Sequence, residues 1–296
     1  MAVGVLDALQ CIYCMGKEMY PVPSLSSLRH RAVMLAAALA GISQIRNWYG
    51  ISDNPWLSLA LRHFPQMHRV IHVRYIHIRW PLARRLSTVD QHYRMLSGPT
   101  AVIARAILEE VELARFDADY VGLRLVLNKA ARWVGEGETA LNLYVGTVRY
   151  YSVAFTLGMD AGQPLILVGA IQGSNVEGNK QVYRAMTHAF HGMRPRDLLV
   201  DIIKLLCKQF GISRIWAISN ACRYKVHADY DQIWMDHGGK LLGNGFFEIL
   251  AEFKRHQPSG VISQKHRRYH RRYQMLERLA AGIVSACADG GIKDSK

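Results

Sequence analysis

The sequence predicts an α+β fold: a helical N-terminal region, then a mixed, largely antiparallel sheet flanked by helices. Three observations lead there. Helical periodicity fills residues 1 to about 115. Segments rich in Val, Leu, Ile, Tyr and Thr then follow at hairpin-like spacings, punctuated by Gly, Asp, Asn or Pro. Helical patterns return from residue 179, and a further strand pattern lies between them. The change of rhythm divides the chain into 1–115, helical, and 116–296, a mixed α/β domain ending in a basic helix. No linker composition marks the boundary, so a single domain is equally compatible.

After Pro23, 24-SLSSLRHRAVMLAAALAG-41 has a Ser start, Ala/Leu filling and a Gly stop. Pro65 and Pro81 divide the next stretch, 56-WLSLALRHFPQMHRVIHVRYIHIRWPLARRL-86. The segment 87-STVDQHYRMLSG-98 opens with Ser-Thr and a downstream Asp, as an N-cap would. A helix over 100-TAVIARAILEEVELARF-116 repeats the pattern. Strands are expected over 121–128, 139–148, 150–157 and 165–173, as an antiparallel meander. Helices follow over 179–193 and 195–211, the second with Pro195 at its start and Gly211 at its stop. Strand 213-SRIWAIS-219 comes directly after, which suggests a helix crossing a sheet. A short helix over Asp229 to Asp236, a strand over Phe246 to Leu250 and a helical tail from Ser263 complete the order. Asp229 is the expected N-cap of the short helix, and His237 with Gly238 its stop.

Half of the 296 residues are hydrophobic and 20% are charged, which suits a substantial core and argues against wholesale disorder. The net charge of +14, from 37 basic and 23 acidic residues, favours anionic partners without choosing among them. The five cysteines, an odd number, fit a reducing compartment rather than a disulfide framework. Cys11 and Cys14 form a CxxC with no second pair, so they read as half-buried residues of the first helix. The longest apolar run, 32-AVMLAAALAGI-42, is about half the length that crosses a bilayer. With no secretory signal pattern at the start, the expected location is the cytoplasm, within reach of the inner face of the membrane.

Five stretches together carry a family resemblance: 91-QHYRML-96, 135-GEGETALNL-143, 170-AIQGSN-175, 187-THAFHGMRPRDLLVDIIKLLCKQFGISRIWAISN-220, and 228-ADYDQIWMDHGGKLLGNGFFEI-249 with 262-ISQKHRRYHRRYQML-276. On these the chain resembles the VirK/YbjX family of Gram-negative bacterial proteins. The resemblance implies an accessory role in envelope homeostasis and virulence, with links to antimicrobial-peptide resistance and lipid A. It implies no particular reaction. Where many relatives carry a His-rich segment, this chain has 221-ACRYKVH-227.

The candidate site residues follow from chemistry. In 165-LILVGAIQGSNVEGNK-180 a strand runs through Gln172, Gly173 and Ser174 into a helix. This resembles the way GCN5-related acyltransferases hold a pyrophosphate on backbone amides and a helix N-terminus. The strand order is also similar, and it places the ends near Gln172 and Ser219 beside a groove. The alternative is a plain turn in which Gly173 supplies an unusual backbone conformation. Glu177 in the loop opposes a phosphate. Arg194 is a candidate clamp for the anion. His188 is a candidate base, weighed against a structural histidine, and His191 shares its helix face. Asn220 and Tyr224 would orient a substrate, or Asn220 would cap a turn. No residue set has metal-ligand spacing. The implied cofactor is an acyl-CoA or acyl-carrier thioester, a small acyl donor.

The segment 264-QKHRRYHRRYQ-274 carries Lys265, Arg267, Arg268, Arg271 and Arg272 without an acid. It suits an anionic lipid surface or an envelope protein. Nucleic acid shares the charge requirement, but no recognition motif is present. The stretch 68-HRVIHVRYIHIRWPLARR-85 is similarly basic. Two readings stand together: an acyltransferase-like enzyme on an envelope precursor, and a non-enzymatic peripheral membrane or chaperone-like factor.

Overall fold

The computed structural model describes residues 4–21, 24–50, 54–116, 122–132, 134–224, 228–253 and 264–288. Four helices open the chain: α1 (Val5–Met19), α2 (Leu25–Ala40), α3 (Ile42–Gly50) and α4 (Pro55–His63). Two of them, α2 and α4, start on side-chain caps. Ser24 Oγ accepts the Ser27 amide at 3.1 Å, and Asn54 Oδ1 accepts those of Trp56 and Leu57 at 3.1 and 3.2 Å. A 3₁₀ segment, Pro65–Ile71, leads to α5 (Leu82–Arg94) and α6 (Ala101–Leu108).

Two expected boundaries move. No helix starts at Ser87: α5 begins behind Pro81 and runs through both residues, and Thr88 turns its hydroxyl back onto the Arg84 carbonyl at 2.8 Å. The helix expected to reach residue 116 stops at Leu108. Val111–Arg115 is instead a strand, β1, paired antiparallel with β2 (Leu123–Lys129). Its Val and Leu positions alternate inward, and pairing with an open sheet edge outweighs the helical pattern.

The remaining strands are β3 (Thr139–Val145), β4 (Val148–Asp160), β5 (Gln163–Gly173), β6 (Arg214–Ile218), β7 (Lys240–Leu241) and β8 (Phe246–Leu250). The sheet has eight strands in the order β1-β2-β3-β4-β5-β6-β8-β7. The first five form the expected antiparallel meander. Then β6 joins parallel to β5, and β8 lies antiparallel on β6. The crossover from β5 to β6 is made by α7 (Asn179–Ala189) and α8 (Pro195–Phe210). Pro195 opens α8, and Gly211, at φ 68, closes it in the left-handed conformation that favours glycine. Helix α9 (Tyr230–Asp236) follows β6, and α10 (Gln264–Ala288) returns to the far edge.

Helix α10 crosses β1 so closely that a Cβ on Gly282 would stand 2.5 Å from the Leu113 carbonyl oxygen. A buried apolar cluster takes residues from α1 to α10, including Ile12, Tyr93, Phe155, Leu199 and Ile283, so it spans both sides of residue 115. All five cysteines are free thiols, and Cys11 and Cys14 lie on α1. Among the described residues no helix is long and apolar enough to cross a membrane.

Candidate functional site

Strands β5 and β6 are neighbours only over part of their length. Their parallel register runs from Leu165–Arg214 to Val168–Ala217. Beyond that point β5 continues to Gly173 paired with β4 alone, while β6 ends at Ile218 beside β8. A gap opens there, at the C-terminal ends of two parallel strands, where mixed α/β sheets gather ligands. Inside it the Ile171 amide donates to the hydroxyl of Tyr230, the first residue of α9, at 3.0 Å.

One wall of the gap is the segment between β2 and β3. Gly169 is an extra residue in β5: Val168 stands opposite Phe155, and Ala170 opposite Ala154. A side chain at Gly169 would collide with the Glu136 carbonyl. A Cβ at Gly137 would stand 2.7 Å from the Phe155 nitrogen. Gly137 and Gly169 therefore let this segment lie against the sheet backbone, while Gly135 lies against the Arg74 carbonyl. Its anchor is Glu138, buried at 4% exposure beside Lys129 at 6%. The carboxylate accepts from the hydroxyls of Tyr75 (2.9 Å) and Tyr93 (2.8 Å) and from Lys129 Nζ (2.6 Å). Burial opposes its charge, but Lys129, His92 and the hydrogen bonds from Lys129 and Tyr93 outweigh it and hold the carboxyl below its usual range. The stretches 91–96 and 135–143 meet here. His92 Nδ1 accepts the Leu157 amide at 3.1 Å, and burial lowers the imidazole to about 3.

Two residues before this anchor, Glu136 faces the gap. Gln172 Nε2 donates to its two carboxyl oxygens at 3.1 and 3.4 Å. Burial raises the carboxyl to about 7, with Arg223 pulling in the other direction. The Arg223 guanidinium lies 3.4 Å above the centre of the Tyr230 ring. Burial raises the Tyr230 hydroxyl to about 12. A partly exposed carboxyl that changes charge near neutrality thus stands near a fully buried phenol that keeps its proton. Glu136 was not singled out from sequence. The signal that could have found Glu136 is a glutamate between two glycines in a recognised motif.

The expected site residues divide into groups. Gln172 lies at the gap and holds Glu136. Ser219 directly follows β6, is 2% exposed, and its Oγ has no hydrogen-bond partner among the described residues. Asn220 clasps the start of α9: its amide donates to Asp231 (2.7 Å), its Nδ2 to Asp229 (2.9 Å), and its Oδ1 accepts the Tyr230 amide (3.1 Å). Asp229 caps α9 as expected, accepting the Gln232 amide at 3.2 Å. Tyr224 is exposed, with Arg74 at 5.1 Å over its ring. Residues 225–227 lie outside the described residues.

The loop after β5 is tied to itself. The Ser174 amide donates to the Tyr150 carbonyl (2.7 Å), and the Val176 amide to Ser174 Oγ (3.1 Å). Gly173 does not have the unusual backbone conformation expected of it; the positive φ in this loop is at Gly178, at 76. What Gly173 provides is space, since a Cβ there would stand 2.6 Å from the Tyr183 hydroxyl.

His188 and Arg194 are exposed at the corner between α7 and α8. Arg272 of α10 reaches that corner and donates from Nε to the His191 carbonyl at 2.9 Å. Arg267, Arg268 and Arg271 are exposed on the same helix, and the side chain of Lys265 lies outside the described residues. The other basic stretch turns partly inward. Arg85 bonds the carbonyls of Val70 (2.7 Å), Val73 and Ile71, and His68 is buried against the Tyr49 hydroxyl at 2.6 Å. His237 ends α9 between Asp197 (3.6 Å) and Asp201 (3.7 Å) of α8.

A family model described as "Protein of unknown function (DUF535)" matches residues 23–285. Among curated proteins, YbjX of Escherichia coli (strain K12) is 29% identical over 43% of this chain and 42% of its own length. A Haemophilus influenzae protein is 23% identical over 78% of this chain and 81% of its own. "Membrane protein LapB" of Mannheimia haemolytica is 26% identical over 57% of this chain and 72% of its own. The match therefore spans under half of YbjX. No solved structure matches the chain.

Proposed function

The chain belongs to the DUF535 family, and from that premise we propose that it is an acyl-transfer enzyme of the bacterial envelope. It takes an acyl-CoA or acyl-carrier thioester into the gap between β5 and β6. The observation that carries this reading is the parting of the parallel pair beyond Val168 and Ala217, with Glu136 partly exposed beside it and Tyr230 buried within it. The acceptor is an envelope precursor bearing an amine or hydroxyl. That acceptor attacks the thioester carbonyl carbon and gives its proton to the Glu136 carboxylate. The C–S bond breaks, and the leaving sulfur takes a proton from solvent. The Glu136 carboxyl then returns its proton to solvent. Gln172 orients Glu136 through its amide. The envelope setting is supported by the family resemblance and by the name of the membrane-protein relative.

Thiol release from acetyl-CoA and palmitoyl-CoA, with hydroxylamine as surrogate acceptor, tests the reading. The wild type releases thiol at a rate that rises through pH 7, and Glu136→Gln slows it about a hundredfold or more. No release above the uncatalysed rate, or an equal rate in the variant, removes the reading.

A second reading, a non-enzymatic peripheral membrane or chaperone-like factor that binds anionic lipid or envelope proteins, is favoured by the exposed Arg267, Arg268 and Arg271. In that case Glu136→Gln changes nothing, while reversing these three charges weakens association with lipid or protein.

A further inference from the structure

We infer that the outer face of α2 docks onto an anionic lipid bilayer. Helix α2 is apolar on two sides. Met34 and Ala38 face inward and are buried. Leu25, Leu28, Ala32, Ala36 and Leu39 share the opposite face within about a quarter-turn of arc. That face is uncovered: Leu25 is 88% exposed, Leu39 54% and Leu28 53%. Val33 stands exposed at its margin. The preceding helix adds exposed Leu6 and Tyr13, with Lys17 Nζ at 4.6 Å over the Tyr13 ring.

A row of leucines open to water along one helix marks a docking surface. Charge decides the occupant. Helix α2 carries Arg29, His30 and Arg31 and no acid. Arg29 and His30 are exposed at the N-terminal end of the apolar row. Arg31 points inward, bonding the Tyr20 carbonyl at 3.1 Å through Nε. A second copy of the chain would set its own exposed Arg29 against this one, like charge against like. An anionic lipid surface attracts the same charge and takes up the leucines. No helix among the described residues crosses a bilayer, so α2 would lie along the interface plane.

The test is co-sedimentation of the full chain with phosphatidylglycerol-rich vesicles and with phosphatidylcholine vesicles. The wild type binds the anionic vesicles more strongly. The double variant Leu25→Glu with Leu39→Glu loses about tenfold or more of that partitioning. Unchanged circular dichroism and melting show that the variant is folded. If it is not, Leu28→Gln with Val33→Gln replaces it, with the same loss expected.

The comparison variant Arg267→Glu, Arg268→Glu, Arg271→Glu keeps measurable binding. No binding of wild type to anionic vesicles overturns the inference. So does loss of binding in the arginine variant with none in the leucine variant. Sedimentation velocity supplies the last outcome: a wild-type dimer that the leucine variant dissolves would make the face a self-interface. None of these readouts depends on thioester chemistry.

Discussion

Glu136 combines a tight backbone position with a titratable side chain. Gly137 lets the chain pass against β4, Gly135 against the Arg74 carbonyl and Gly169 of β5 against the Glu136 carbonyl, and burial then raises the carboxyl from 4.5 to about 7. The folded state therefore holds this proton more tightly than the unfolded chain does. Its contribution to stability is complete below about pH 4.5 and is lost as pH rises through 7. Glu136→Gln removes that dependence. Between pH 5 and pH 8 the wild type should lose about 1–2 kcal/mol relative to the variant, after discounting for partial exposure. Denaturant midpoints at the two pH values measure it, and parallel curves would contradict the assignment. Sequence alone shows Gly-Glu-Gly-Glu as a motif, but it cannot say which glutamate is clamped and which is poised. That depends on Lys129, Tyr75 and Tyr93 reaching Glu138 from three separate elements. The places of Gln172 near the end of β5 and of Ser219 just after β6 were legible because strand ends before turns carry their own pattern. The partner of Gln172 was not, because it lies 36 residues away in sequence.

At the scale of elements, local pattern found the meander and both crossover helices, because alternation and the Pro195–Gly211 bracket are short-range signals. It missed β1, whose residues 111-VELAR-115 also fit a helix, and the two-residue β7, which has too little sequence to carry a pattern. It also took Ser87–Thr88 for a cap, since a hydroxyl suits either a helix start or a back-bond within a helix. The docking of α10 on β1 follows from Gly282, and it is testable. Gly282→Ala places a methyl 2.5 Å from the Leu113 oxygen, so the helix must shift. A loss of about 1–3 kcal/mol is expected by chemical denaturation. Since alanine is otherwise the better helix residue, a gain in stability would show that α10 does not approach the strand this closely.

Over the whole molecule, one mixed sheet holds the gap, and charge and apolar surface are distributed around it. The +14 excess was plain from composition, but its placement was not. Arg85 is engaged with backbone carbonyls and Arg272 with the His191 carbonyl, whereas Arg267, Arg268 and Arg271 stand exposed. The strand order places a parallel pair at the centre with antiparallel strands on both sides, and the gap is where that pair separates.

The measurement that tests this reading most directly is the melting temperature of the purified chain with acetyl-CoA, palmitoyl-CoA and free CoA, repeated with Gly173→Val. Valine at this position meets the Tyr183 hydroxyl and the Tyr151 ring at the end of β5. An acyl thioester seated in the gap raises the wild-type melting temperature by several degrees at a concentration about a hundredfold above its Kd, and Gly173→Val reduces the rise. No shift with any of the three would contradict a thioester site between β5 and β6.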